Sequence, residues 1–271
     1  MTRLGAAATT LLLAAGAAGC SGDTTPRVTP APAQHTAAPP PAGPPARACY
    51  ALTFSAVLDA SNDARVVPCS RPHTAQTVYV GTIDPLVDGH LLAVDSQRVQ
   101  QQVASTCAQR TARALGGTRD TQRLARLQSA WFAPTLQQAD AGALWFRCDV
   151  VWLAGPRSLG TLPTRLPGLL HSARALDRFG TCGTTSPSNR AFQRVTCAHP
   201  HTWRARAVLG LPPGTRYLSG AAGKLADSRC HDIEAHLATN ALRLRWSFEW
   251  PTKQEWDSGQ RYGLCWTPDP A

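Results

Sequence analysis

Residues 134–148 read PTLQQADAGALWFRC, and residues 251–265 read PTKQEWDSGQRYGLC. The stretches align without a gap. Pro134/Pro251, Thr135/Thr252, Gln137/Gln254, Asp140/Asp257, Gly142/Gly259 and the closing Cys148/Cys265 coincide, with Trp145 or Tyr262 three residues before the cysteine. Upstream, Cys69-Ser-Arg-Pro72-His73-Thr74 parallels Cys197-Ala-His-Pro200-His201-Thr202. Eight cysteines form two groups of four: Cys49, Cys69, Cys107, Cys148 and Cys182, Cys197, Cys230, Cys265. The offsets between matched members fall through 133, 128, 123 and 117. The second group has therefore lost a few residues in each connection, where losses cost least. The pattern predicts a tandem duplication.

Within a copy, Ala64–Cys69 and Gln76–Ile83 read as short strands around a Pro-His turn. Val99, Val103 and Cys107 recur every four residues between Leu92 and Leu115, a helical stripe that buries the third cysteine, and Gly116-Gly117 stops it. Leu144–Trp152 is a β-rich run around the fourth cysteine. The second copy repeats this with a strand at Ala205–Leu211, a helix at Ala221–Leu237 carrying Leu225, Ile233 and Leu237, and a strand at Arg261–Trp266. The predicted fold is α+β: two tandem homologous small units, 49–155 and 180–268, each of short antiparallel strands plus one main helix. Residues 156–179, with Pro156, Pro163 and Pro167, read as the connector.

The N-terminus predicts a destination. Arg3 precedes 15 apolar residues, Leu4 to Ala18, too short to span a bilayer comfortably. Ala17-Ala18-Gly19-Cys20 then resembles a bacterial lipobox, so residues 1–20 are read as a lipoprotein signal peptide with Cys20 lipidated; ordinary secretory cleavage beside an incidental cysteine is the plainer alternative. Residues 21–48 hold eight prolines in 28 positions and read as an extended, disordered tether. Nine cysteines in 271 residues argue for an oxidising compartment. The expected location is extracytoplasmic, on the outer face of the cytoplasmic membrane. Lys+Arg 27 against Asp+Glu 17 gives a net charge of +10, with arginine dense at 110–126 and 190–206. Outside a membrane such a chain meets anionic lipid headgroups and wall polymers rather than nucleic acid.

The cysteine followed by Pro-His, the helical cysteine and the closing Pro-Thr…Trp…Gly…Cys segment resemble the septum-formation domain family of actinobacterial membrane proteins and lipoproteins. The closer match is Pro251-Thr252…Glu255-Trp256…Gly259…Arg261…Cys265. The resemblance implies an envelope protein related to septum formation, with no established catalytic activity.

The residues agree with that implication. No Cys-x-x-Cys, nucleophile elbow, His-Glu-x-x-His or phosphate-cradling loop occurs. His73 and His201 are the histidines that both copies share, and each is expected to donate a ring N–H to a backbone carbonyl and fix its turn. His199, His201, His231 and His236 could supply metal donors, but the first copy lacks equivalents, so no metal or cofactor is predicted. Asp140 and Asp257, each two residues before a glycine, read as turn formers. The tryptophans are expected mostly in the core, with a half-exposed row able to stack on a sugar. The expected function is a non-enzymatic binding module for a wall polymer or envelope protein. The alternative is a ligand-binding or sensing lipoprotein holding a wall fragment or anionic glycolipid in the groove between copies.

Four cysteines permit three pairings per copy. Joining first to second and third to fourth asks only neighbouring elements to touch. The predicted bonds are Cys49–Cys69, Cys107–Cys148, Cys182–Cys197 and Cys230–Cys265.

Overall fold

The computed structural model describes residues 39–172, 174–238, 240 and 242–269; Cys20, the leader and the tether up to residue 38 lie outside them. The chain runs β1 (Cys49–Tyr50), β2 (Ala75–Thr82), a small hairpin of β3 (Leu86–Val87) and β4 (His90–Leu91), α1 (Gln97–Leu115), α2 (Arg119–Leu124), β5 (Leu127–Phe132), α3 (Leu136–Asp140), β6 (Trp145–Gly155) and β7 (Ser158–Leu159). It continues through α4 (Ala175–Phe179), β8 (Thr181–Gly183), β9 (Arg194–Thr196), β10 (Trp203–Gly210), α5 (Gly220–Leu237), β11 (Ser247–Glu249), α6 (Lys253–Asp257) and β12 (Tyr262–Pro268).

Two antiparallel sheets result. One has the order β1-β2-β6-β5 with β7 beside β6, the other β11-β12-β10-β8-β9. Read as β8-β10-β12-β11, the second sheet repeats the order of the first. Its register agrees too. Tyr79 faces Cys148 and Ala207 faces Cys265, each just past a bulge, between Thr77 and Tyr79 in one sheet and between Ala205 and Ala207 in the other. The fold is α+β. The described residues cluster as one compact unit.

Each long helix turns a line of residues spaced by four to its sheet: Val99, Val103, Cys107, Thr111 and Leu115 in α1, Ala222, Ala226, Cys230 and Glu234 in α5. Leu225 and Leu237, expected in the α5 stripe, are exposed instead. The disulfide from Cys230 sets the rotation of α5, and the alanines in phase with that cysteine let it sit close. Four disulfides join Cys49 to Cys69, Cys107 to Cys148, Cys182 to Cys197 and Cys230 to Cys265, with Cα separations of 4.9–5.2 Å. Each ties neighbouring elements as the spacing predicts.

One further expectation changes. Residues 64–69 make a single bridge, Val67 to Cys49, rather than a strand. Pro68 has no N–H to extend the ladder, whereas the same place in the second half, without proline, forms β9. The connector does more than link: it supplies part of the core. Leu162, Leu166, Leu170, Ala175 and Phe179 are buried with Leu115, Leu127, Val150 and Trp152. Reciprocally, Leu124 of α2 packs among Trp203, Ala205, Leu264 and Trp266 of the second sheet. Among the described residues no helix is long and apolar enough to cross a membrane.

Candidate functional site

The two sheets meet where α2 passes into β5 and α4 passes into β8. Ala125 bridges Gly180, and the Arg126 N–H donates to Phe179 O at 2.7 Å. The Thr181 hydroxyl donates to Leu124 O at 2.8 Å. Beside this seam opens a cleft of about 360 Å³, with Arg123, Arg126 and Gln128 on one side and Arg194, Glu255 and Tyr262 on the other.

Its cations are not equally matched. Arg194 donates through Nε to Glu249 Oε1 at 3.0 Å and through Nη1 to Glu255 Oε1 at 3.1 Å. Burial alone would push its guanidinium down, but the two carboxylates raise it above its ordinary value. Burial pushes Glu249 up despite Arg194 and the indole N–H of Trp266, which donates to its Oε2 at 2.9 Å. For Glu255 burial is outweighed by the Thr252 N–H and Arg194, so its carboxyl lies below the usual range.

Arg126 donates through Nε to Leu153 O at 2.7 Å, and among the described residues no carboxylate reaches ion-pair distance of it. Burial first, and the Arg194 charge second, push it down to about 10. The Arg123 guanidinium lies over the Tyr262 ring at 4.0 Å. The cleft therefore holds a surplus cation with a planar donor fork, the group that matches phosphate or carboxylate.

The shared histidines lie elsewhere and fix turns. Nδ1 of His73 meets Arg71 O at 2.8 Å, and Nδ1 of His201 meets His199 O at 2.7 Å. A carbonyl only accepts, so each Nδ1 carries the proton. Pro72 and Pro200, just before them, are exposed. Nε2 of His73 is buried without a partner, whereas Nε2 of His201 faces Asp269 Oδ2 at 3.2 Å. Among the described residues the one gathering of three metal-capable donors is Cys182, His201 and Asp269. Cys182 Sγ is bonded to Cys197, which leaves two.

The closing segments are matched devices. Buried Pro134 and Pro251 precede capping boxes in which Thr135 and Thr252 accept from the third residue of α3 and α6, while Gln138 and Glu255 reach back to the threonine N–H. Gly142 and Gly259 then turn the chain at φ of 91° and 100°, a conformation costly for any residue with a Cβ. Asp140 and Asp257 end the short helices just before, exposed, and Asp257 takes a salt bridge from Lys253. Trp256 is half-buried against Tyr217 and Trp250, under the Arg261 guanidinium.

Comparison with known families matches residues 46–265 to the septum formation family. The chain belongs to the septum formation family. The match runs through both sheets, the seam and all four disulfides of this septum formation protein, and membership points to a septum-related role. No curated protein and no solved structure matches the chain. The disulfides fit a septum formation protein outside the cytoplasm. Arg126 and Arg194 were not singled out in the sequence, although each lies in one of its two arginine-dense runs.

Proposed function

We propose that this septum formation protein is a non-enzymatic binding module, lipid-anchored through Cys20 at the outer face of the cytoplasmic membrane. It carries two copies of one disulfide-stapled unit and engages a wall polymer or envelope protein at the division site. The observation that carries this reading is the cleft at the seam of the two sheets, where Arg126 stands without a carboxylate among the described residues. The carboxylate that lines the same cleft, Glu255, is already committed to Arg194 and the Thr252 N–H. A surplus cation with its neighbours occupied suits holding an anion more than transferring a proton. The common strand order, bulge and disulfide positions support the two-copy reading.

The same arginines favour a second reading, a lipoprotein that holds or senses an anionic wall fragment or glycolipid in this groove. A fluorescent fusion tests the first. Enrichment at the septum, with release from the membrane on Cys20→Ser, is expected. Uniform envelope distribution would remove the division-site role. Hydrolysis of peptidoglycan, lipid or phosphoester by the purified chain, abolished in His73 or His201 variants, would remove the non-enzymatic one.

A further inference from the structure

The arginine cleft does not end at β5. A second pocket, of about 490 Å³, opens on the far side of Gln128 and Leu153, two residues that line both spaces. Gln128 pairs with Val151 in the β5–β6 ladder, so Gln128, Ala130, Val151 and Leu153 lie on one face of the sheet at its β5 edge. The loop between β1 and β2 covers that face, and Phe54, Val57 and Leu58 supply the opposite wall. The pocket is therefore apolar on two sides, and Leu58, 72% exposed, is an apolar side chain left in solvent on that wall. Its volume falls in the range of small-molecule sites, which are mostly apolar with a few placed polar groups. Asp59, Gln100 and Ser129 also line the pocket, and the guanidinium of Arg126 stands in the adjoining cleft, across Gln128 and Leu153.

We infer that the cleft and the pocket form one site for an anionic amphiphile, a membrane-derived lipid whose phosphate head meets Arg126 and whose hydrocarbon chain passes Gln128 and Leu153 into the Phe54–Val57–Leu58 pocket. This deepens the ligand-binding reading of the groove by naming the class of ligand. A soluble wall fragment needs no apolar pocket beside its anion site. A neutral lipid leaves Arg126 as unmatched as before. An anionic amphiphile satisfies both observations. Its head also restores to Arg126 the counter-charge that the protein itself withholds, and contacts of this charge-assisted kind weaken with added salt.

Titration of the intact folded chain with n-alkyl phosphates of increasing length tests the assignment, read by calorimetry below their micellar concentrations. One-to-one binding of dodecyl phosphate is expected, tightening about fourfold for each methylene buried until the pocket fills. Inorganic phosphate and dodecylphosphocholine, which lack the tail or the net charge, should each bind at least tenfold more weakly. Arg126→Gln should weaken dodecyl phosphate about tenfold. Ala60→Trp, from an exposed position on the pocket wall, should abolish the dependence on chain length while leaving the response to phosphate. Equal affinity for inorganic phosphate and dodecyl phosphate would overturn the inference, as would equal affinity for dodecylphosphocholine or no saturable binding. If instead the cleft captures a soluble anionic wall fragment and ignores alkyl phosphates, the ligand-binding reading survives and the lipid assignment does not.

Discussion

Arg126 and Arg194 share one cleft, and among the described residues only Arg194 has carboxylates to answer its charge. Burial and the Arg194 charge hold Arg126 below its ordinary value, at about 10, which corresponds to roughly 3 kcal/mol held against the charged form. Arg126→Met keeps the aliphatic stem, removes that charge and gives up one hydrogen bond to Leu153 O, a loss of about 1 kcal/mol. The free variant should be more stable than the parent by about 1–2 kcal/mol, read as a higher urea midpoint at neutral pH. An unchanged or lower midpoint would show that Arg126 is compensated in the free protein.

Arg147 and Asp149 form a buried pair in the first sheet, 3.1 Å apart with side chains 2% and 0% exposed. The Thr77 hydroxyl donates to Asp149 at 2.7 Å, and the Arg147 guanidinium is stacked on Tyr50 and Phe132. Burial first, against Arg147, raises the Asp149 carboxyl above its ordinary value. The second sheet has Leu264 and Trp266 at the matching positions. Removing one partner strands the other, so Arg147→Leu should cost about 3–5 kcal/mol. Arg147→Leu with Asp149→Leu should cost less than the single change. Urea unfolding of the set checks this, and additive losses would refute it.

Asp269 accepts from Arg204 at 2.6 Å and from Arg206 at 2.8 Å, and Nε2 of His201 lies 3.2 Å from its Oδ2. Burial would raise its carboxyl, but Arg206, Arg204 and the His201 contact hold it below the usual range. A depressed carboxylate stabilises the fold above its unfolded pKa, about 3.9, and that contribution fades as pH falls through the lower folded value. Asp269→Asn should cost about 1–2 kcal/mol at pH 7, and the difference from the parent should shrink below about pH 4. Thermal melts across pH 3 to 7 decide it.

The four disulfides close loops within one half or the other. Removing Cys230–Cys265, 35 residues apart, should cost about 4 kcal/mol, and removing Cys182–Cys197, 15 apart, about 3 kcal/mol. Removing Cys107–Cys148 together with Cys230–Cys265 should cost the sum of the two, since the bonds serve different helix–sheet pairs. Chemical denaturation of the pairwise cysteine-to-alanine variants measures each. Non-reducing peptide maps should show these pairs alone, and a Cys69–Cys148 peptide would contradict the pairing.

The strands around Cys148 and Cys265, the α1 stripe and the cysteine pairing were readable because local spacing determines them. Pro-Thr-x-x-Gln138 and Pro-Thr-x-x-Glu255 also spelled two capping boxes, a signal present but unread. The burial of the connector was another such signal: Leu162, Leu166 and Leu170, interleaved with Pro163 and Pro167, recur every fourth residue and bury. The cleft was hardest. Arg126 and Arg194 are 68 residues apart, and only the seam through Ala125 and Gly180 brings them together. A sequence records that two arginine-rich runs exist, not that they converge or which member lacks a carboxylate.

Glu255 holds two things at once. Its Oε2 accepts the Thr252 N–H that starts α6, and its Oε1 accepts from Arg194 in the cleft wall. The matching residue in α3 is Gln138, which caps the helix but carries no charge. An anion that draws Arg194 toward itself takes a partner from Glu255, and the next residue along that five-residue helix is Trp256, stacked beneath Arg261 and beside Tyr217. An anion taken up in the cleft should therefore be read out as a change in the emission of that indole.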